Sequence, residues 1–162
     1  MNDTRLYVLL AEDNPNDIAA FRSALANRQD DERFKLNVVQ DGLAALDYLR
    51  RPGEYARIDG HPLVARRPGL VVLSIHLPEM NGWEVLAHMK RVPALRAIPV
   101  VMLRRAEHDE HDVCAYELGA CGVFTKPDDP HEMEEQINAI LTYFRWANPS
   151  PRPVDSANRV NK

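Results

Sequence analysis

The sequence predicts an α/β fold built on a doubly wound parallel sheet, and three observations predict it. Short apolar runs alternate with segments of helical spacing from the first residues to about residue 147. One of those runs, Leu70-Val71-Val72-Leu73, is uniformly apolar, as expected of a strand buried on both faces. Finally, 162 residues that are 45% hydrophobic and 27% charged suit one domain with one core.

Taken in order, the first strand is Leu6 to Ala11, ending at Glu12-Asp13-Asn14-Pro15. Asn14 can cap a helix and Pro15 can take its first position. Ile18, Phe21 and Leu25 then recur at helical spacing until the polar stretch Asn27 to Arg33. Leu36 to Gln40 is a second strand. After Asp41-Gly42, the residues Leu43, Leu46 and Leu49 mark a second helix, which stops at Pro52-Gly53. The segment from there to Gly69 is basic and proline-containing, and is expected to be an irregular surface loop. Leu70 to Leu73 forms the third strand and runs into Ser74-Ile75-His76-Leu77-Pro78. A turn from Glu79 to Gly82 precedes a third helix bearing Trp83, Leu86 and Met89.

Ile98 to Leu103 is the fourth strand, and Glu107 to Leu118 a fourth helix closed by Gly119 at the position after its cap. Gly122 to Thr125 is the fifth strand. Asp129-Pro130-His131-Glu132 has the form of a capping box, opening a fifth helix with Met133, Ile137, Ile140, Leu141 and Phe144 on one stripe. This gives one domain over residues 1–147 with five strands and five helices. The prolines at 149, 151 and 153 predict a flexible tail over 148–162, with no output domain.

Composition narrows the function classes. A net charge of −4 and the lack of a basic run argue against nucleic-acid partners. No apolar run approaches the roughly 20 residues that cross a bilayer. Only Cys114 and Cys121 occur, without an apolar leader, so a reducing cytoplasm is the expected compartment and both thiols are expected in or near the core.

In an open parallel sheet, ligands gather beyond the carboxyl ends of the strands. The residues there are Glu12, Asp13, Ser74, Arg104 and Lys126. Four stretches lie at those ends: Leu9-Leu10-Ala11-Glu12-Asp13-Asn14, Leu73-Ser74 through Asn81-Gly82, Ile98 through Leu103, and Phe124-Thr125-Lys126-Pro127. Together they resemble the receiver domains of bacterial response regulators, over about residues 6 to 146, and in particular the stand-alone receivers that partner phytochromes. The resemblance implies a flavodoxin-like (CheY-like) fold with strand order 2-1-3-4-5. It also implies a role in two-component phosphorelay signalling rather than an enzymatic one.

Carried over residue by residue, Glu12 and Asp13 are the family's acidic pair, and Lys126 is its phosphoryl-contacting lysine. The phosphoacceptor position, an aspartate in the family, is Ser74. The switch positions, a hydroxyl residue and an aromatic in the family, are Arg104 and Val123. A serine hydroxyl without a base is a poor nucleophile and would form an ester, not a labile acyl phosphate. The expectation is therefore a divergent receiver that has lost aspartyl phosphorylation and acts by protein–protein binding. The alternatives are a working phosphorelay receiver using another acceptor, such as Asp13, or Ser74 itself, or a small enzyme on the same scaffold. No cofactor is expected. Magnesium held by Glu12, Asp13 and the His76 carbonyl is weakened by the missing carboxylate. If Arg104 turns inward, it joins Lys126 in balancing Glu12 and Asp13.

Ser74 and His76 lack the strand-turn-helix elbow and the third orienting group of a hydrolase. His108, His111 and Asp112 fall in a polar stretch expected to be a solvated face. On the last helix, Ala139, Tyr143 and Trp146 form a second apolar stripe that a monomer would leave wet. The stripe suggests a partner surface, the alternative being that Trp146 folds back on its own domain. The resemblance to phytochrome-associated receivers, which pair through this helix, implies a homodimer through Tyr143 and Trp146, and a sensor histidine kinase, a bacterial phytochrome by the resemblance, as partner.

Overall fold

The computed structural model of the protein describes residues 5–50, 55–58, 61–64, 67–105 and 116–147. In chain order its elements are β1 (Leu6–Ala11), α1 (Pro15–Ala26), β2 (Phe34–Val39), α2 (Gly42–Arg50), β3 (Tyr55–Ile58) and β4 (His61–Val64). They continue with β5 (Leu70–Ser74), α3 (Gly82–Arg91), β6 (Val100–Arg104), β7 (Gly122–Thr125) and α4 (Pro130–Ala147). Five strands pair in parallel in the spatial order β2-β1-β5-β6-β7. Counting only these strands gives 2-1-3-4-5, the order expected.

Because side chains alternate across a strand, each strand feeds two cores. Leu9, Ala11, Val71, Leu73, Val100 and Met102 pack on one face with Leu46, Leu49, Leu86 and Met89 of α2 and α3. Leu6, Val8, Leu10, Leu70, Val72, Val101 and Leu103 pack on the other with Phe21 of α1 and Ile137, Leu141 and Phe144 of α4. All five residues of β5 are buried, which is why that run carries no polar alternation.

Helix starts follow the capping expected. Asn14 Oδ1 accepts from the Asn16 and Asp17 amides at 2.9 and 3.4 Å, with Pro15 in the first turn. Asp129 Oδ1 does the same for His131 and Glu132 at 2.7 and 3.2 Å. Of the helix expected over 107–118, residues 106–115 lie outside the described residues. Its last turn is present at Tyr116 and Glu117, and Gly119 follows with φ +94° and its amide on the Tyr116 carbonyl. Four α-helices are thus present among the described residues.

The structure departs from the sequence reading at several places, one of them the fourth strand, expected over Ile98 to Leu103 and observed as β6 over Val100–Arg104. The stretch before Gly69 contains an antiparallel hairpin, β3 with β4. Its signal is Asp59-Gly60 between two β-prone runs, a dipeptide suited to a tight hairpin turn. Strand β2 begins at Phe34, two residues early, because the Phe34 ring is buried against the α1 face of the sheet. Cys121 is exposed rather than near the core, since it sits in the turn just before β7. Cys114 lies outside the described residues.

A polar clamp fixes α4. Arg28, just past α1, bonds Asp30 (Nε–Oδ1 2.8 Å), Asn138 (Nη1–Oδ1 3.2 Å) and Thr142 (Nη1–Oγ1 3.1 Å). Arg145 pairs with Asp30 from the helix side. The Arg28 guanidinium also lies 4.9 Å from the centre of the Phe34 ring.

Candidate functional site

Pairing along the sheet brings three polar side chains together at its carboxyl end. The Glu12 amide continues β1 by donating to the Val39 carbonyl at 3.0 Å. Ser74 closes β5. The Lys126 amide donates to the Arg104 carbonyl at 2.7 Å, extending β7 by one residue. Among the described residues, Glu12, Ser74 and Lys126 are the polar or charged side chains that are buried. Glycine makes room for this end of the sheet: a Cβ on Gly82 would lie 2.2 Å from the Ser74 carbonyl oxygen.

The Lys126 ammonium is the centre of the cluster. Its Nζ lies 2.5 Å from Glu12 Oε2, 2.9 Å from Asp17 Oδ2 and 3.2 Å from Ser74 Oγ. An ammonium has three protons, and three acceptors surround it. Glu12 is equally committed, since its other oxygen, Oε1, accepts from the Asp13 and Asn14 amides at 3.1 Å each. Two buried opposite charges thus compensate each other with their hydrogen-bonding capacity filled, the condition under which a buried pair is tolerated.

Asp17 was not foreseen from the sequence. The signal was present: it stands three residues after the Asn14 cap, so the first turn of α1 carries its carboxylate over the same end of the sheet as Glu12. Asp13 follows Glu12 at the end of β1 and is exposed. Arg104 is half-buried, and its Nε donates to Thr125 Oγ1 at 2.9 Å on the adjacent strand. The contacts of Glu12 and Asp13 do not include Arg104. Lys126, not Arg104, is therefore the counter-ion of Glu12, because its Nζ reaches between the carboxyl ends of β1 and β5. Val123 is half-buried, and its amide donates to the Tyr116 hydroxyl at 3.2 Å.

The chemistry of nucleophilic catalysis is not assembled here. The Ser74 hydroxyl lies 3.2 Å from Lys126 Nζ, a nitrogen that also donates to Glu12 and Asp17, so the neighbour of the hydroxyl is a donor already engaged by two carboxylates and not an orienting base. His76 itself is exposed. His108, His111 and Asp112 lie outside the described residues. Among the described residues, no group of three His, Cys, Asp or Glu side chains is placed to hold a metal ion. Likewise no described helix is long and apolar enough to cross a membrane.

Beside the cluster, a groove of about 590 Å³ runs between α1 and the start of α4, lined by Asn14, Asp17, Ala20, Lys126, Asp128 and Met133 among others. On the outer face of α4, Tyr143 is 65% and Trp146 73% exposed, so Trp146 does not fold back onto its own domain.

Comparison with known proteins gives consistent results. The family profile of the response regulator receiver domain matches residues 8–138. Response regulator Rcp1 of Synechocystis is 31% identical over 137 residues, 85% of this chain and 87% of its own. The crystal structure of the phosphorylated cyanobacterial phytochrome response regulator RcpA superposes with a TM-score of 0.77 at 32% identity, covering 92% of this chain and 99% of that one. The Mn²⁺-bound form of Rcp1 gives a TM-score of 0.74 at 30% identity, covering 90% and 99%.

Proposed function

This chain belongs to the response regulator receiver family, and from that premise we propose that it is a divergent receiver whose output is set by protein–protein binding instead of aspartyl phosphorylation. The observation that carries the proposal is the closure of charge around Lys126: Glu12, Asp17 and the neutral Ser74 hydroxyl fill its three donor directions. At the phosphoacceptor-equivalent position the chain offers a hydroxyl with no base beside it. At the switch-equivalent positions it offers Arg104, tied to Thr125, and Val123. Neither side chain is the hydroxyl or the aromatic ring that follows a phosphoryl group in the family.

The donor set fits a divalent cation poorly. A hard cation wants several free oxygens. Both Glu12 oxygens are already engaged, Ser74 supplies no carboxylate, and Asp13 with the His76 carbonyl would be left to bind almost alone. Magnesium binding is therefore expected to be weak in this protein, although the related Rcp1 has been crystallised with Mn²⁺.

For partners, the relatives named as phytochrome response regulators support a sensor histidine kinase of the phytochrome class. The exposed Tyr143 and Trp146 support a homodimer formed through α4. The reading includes one domain over residues 1–147 and a cytoplasmic location; the tail expected over 148–162 lies outside the described residues. A second reading is favoured by one observation, that Asp13 is exposed at the same end of the sheet as Ser74: it could accept phosphate in place of Ser74.

The test is phosphotransfer from acetyl phosphate with magnesium, read by intact mass, on the parent, on Ser74→Asp and on Ser74→Asp with Arg104→Thr. The proposal expects an unmodified parent and a hydroxylamine-labile phosphate only in the variants carrying the aspartate. Uptake by the parent overturns it, and peptide mapping to Asp13 would establish the second reading.

A further inference from the structure

On the side of the sheet packed by α4, an apolar groove of about 380 Å³ lies between β7 and the helix, lined by Val101, Cys121, Phe124, Ala139, Tyr143 and Phe144 among others. It continues into an exposed stripe of α4. Glu132, Glu135, Ala139, Tyr143 and Trp146 are all exposed and recur at helical spacing on one face. The stripe is acidic at its start and aromatic at its end. Tyr143 stands edge-on to Phe144 at 5.0 Å, and Arg145 lies 4.8 Å from the centre of the Trp146 ring, so both aromatic side chains have neighbours that set their orientation.

We propose that this ledge is the docking site of the chain's own segment 148–162, with Pro149, Pro151 and Pro153 against Tyr143 and Trp146 and the basic residues directed to Glu135 and Glu132. Three features of the chain argue for this occupant. First, the segment begins where the ledge ends: α4 stops at Ala147, directly after Trp146. Second, its composition suits the surface. Proline-rich extended chain docks on aromatic surfaces at low entropic cost because its backbone is already restricted. The side chains of Arg152, Arg159 and Lys162 against that of Asp155 sum to +2, opposite to the acidic half of the stripe. Third, it is long enough. Glu132 lies 15 residues before Ala147, or about 22 Å along a helix. The 15 residues of the segment reach about 46 Å in extended polyproline form, enough to return along the whole stripe.

The inference does not depend on whether Ser74 accepts phosphate. It adds a competition: a segment docked in cis occupies the face through which a second copy would pair, so pairing requires its release.

The experiment uses the full chain, labelled with ¹³C and ¹⁵N. Nuclear Overhauser contacts are sought between the ring protons of Pro149, Pro151 and Pro153 and the side chains of Tyr143 and Trp146, together with the iodoacetamide alkylation rate of Cys121, mapped by peptide mass. Cis docking predicts contacts that do not change with protein concentration. It also predicts a severalfold faster Cys121 alkylation when the three prolines are replaced by serine. Absence of the contacts overturns the proposal. So does their appearance only between differently labelled chains, which would make a second copy the occupant, or a Cys121 rate indifferent to the prolines.

Discussion

Replacing Lys126 by methionine keeps an unbranched side chain of similar volume, one atom shorter, and removes its charge and its three bonds. In the folded protein this leaves Glu12, whose side chain is 1% exposed, with Oε2 lacking a donor, while Oε1 keeps the Asp13 and Asn14 amides. Removing one partner of a buried pair costs about 3–5 kcal/mol. The retained amide bonds put this case at the low end. Asp17, whose side chain is 20% exposed, can recruit water, so its share falls in the range of about 0–1 kcal/mol found for accessible pairs. The expected loss is about 3 kcal/mol, read as a lower urea midpoint with unchanged slope. A double-mutant cycle with Glu12→Gln isolates the pair. The double variant should recover most of the loss, giving a coupling energy of about 2 kcal/mol that added salt barely reduces because the pair is buried. A loss under about 1 kcal/mol, or a cycle that is simply additive, would refute the view that Lys126 and Glu12 balance one another.

Two other perturbations test separate parts of the structure. The Asp30 carboxyl is held below its ordinary value of 3.8, first by the hydrogen bond from Arg28 and then by the charges of Arg28 and Arg145, against the opposing effect of burial. A depressed folded pKa contributes stability that is fully present above 3.8 and is lost as pH falls through the lower folded value. Asp30→Asn should therefore cost about 1 kcal/mol at neutral pH and flatten the acid limb of stability against pH, measured by urea midpoints. Gly82→Ala places a methyl 2.2 Å from the Ser74 carbonyl oxygen. Backbone cannot yield as a flexible side chain would, so a loss of about 2 kcal/mol is expected, with amide shift changes reaching Ser74 and Lys126 in a heteronuclear NMR spectrum.

Much of this architecture was legible in the sequence because the signals were periodic and local. The all-apolar run 70–73, the Asn14-Pro15 and Asp129-Pro130 caps, and Gly119 each report a backbone requirement that a few adjacent residues must meet. The sheet-end positions of Glu12, Ser74 and Lys126 follow from strand ends alone. What was not legible is what depends on how far side chains reach across elements. Asp17 reads as an ordinary first-turn acid, and nothing local says that a lysine more than a hundred residues later will bond it. Arg104 carries the right charge to neutralise Glu12, but charge arithmetic cannot decide between two cations. The registry of β6 with β7 decides it, by setting Arg104 beside Thr125 and sending Lys126 inward. The hairpin β3–β4 was missed for a different reason, in that its proline and basic content outweighed the Asp59-Gly60 turn signal.

On the proposed reading, the changes at Ser74, Arg104 and Val123 are one physical change and not three. An aspartate at the end of β5 would add a charge that Lys126 cannot balance alone, since Glu12 and Asp17 already engage it, and a divalent cation would become the natural remedy. With serine in that place no such charge exists. The ammonium is then satisfied by the protein itself, and Glu12 is spent in satisfying it. Once no phosphoryl group arrives at this end of the sheet, a hydroxyl at position 104 has no new acceptor to follow, and an aromatic at position 123 has no vacated space to enter. Arg104 can then serve the sheet by bridging the ends of β6 and β7 through Thr125. A pocket closed in this way leaves the response to a partner to the surfaces, among them the face of α4 that presents Tyr143 and Trp146.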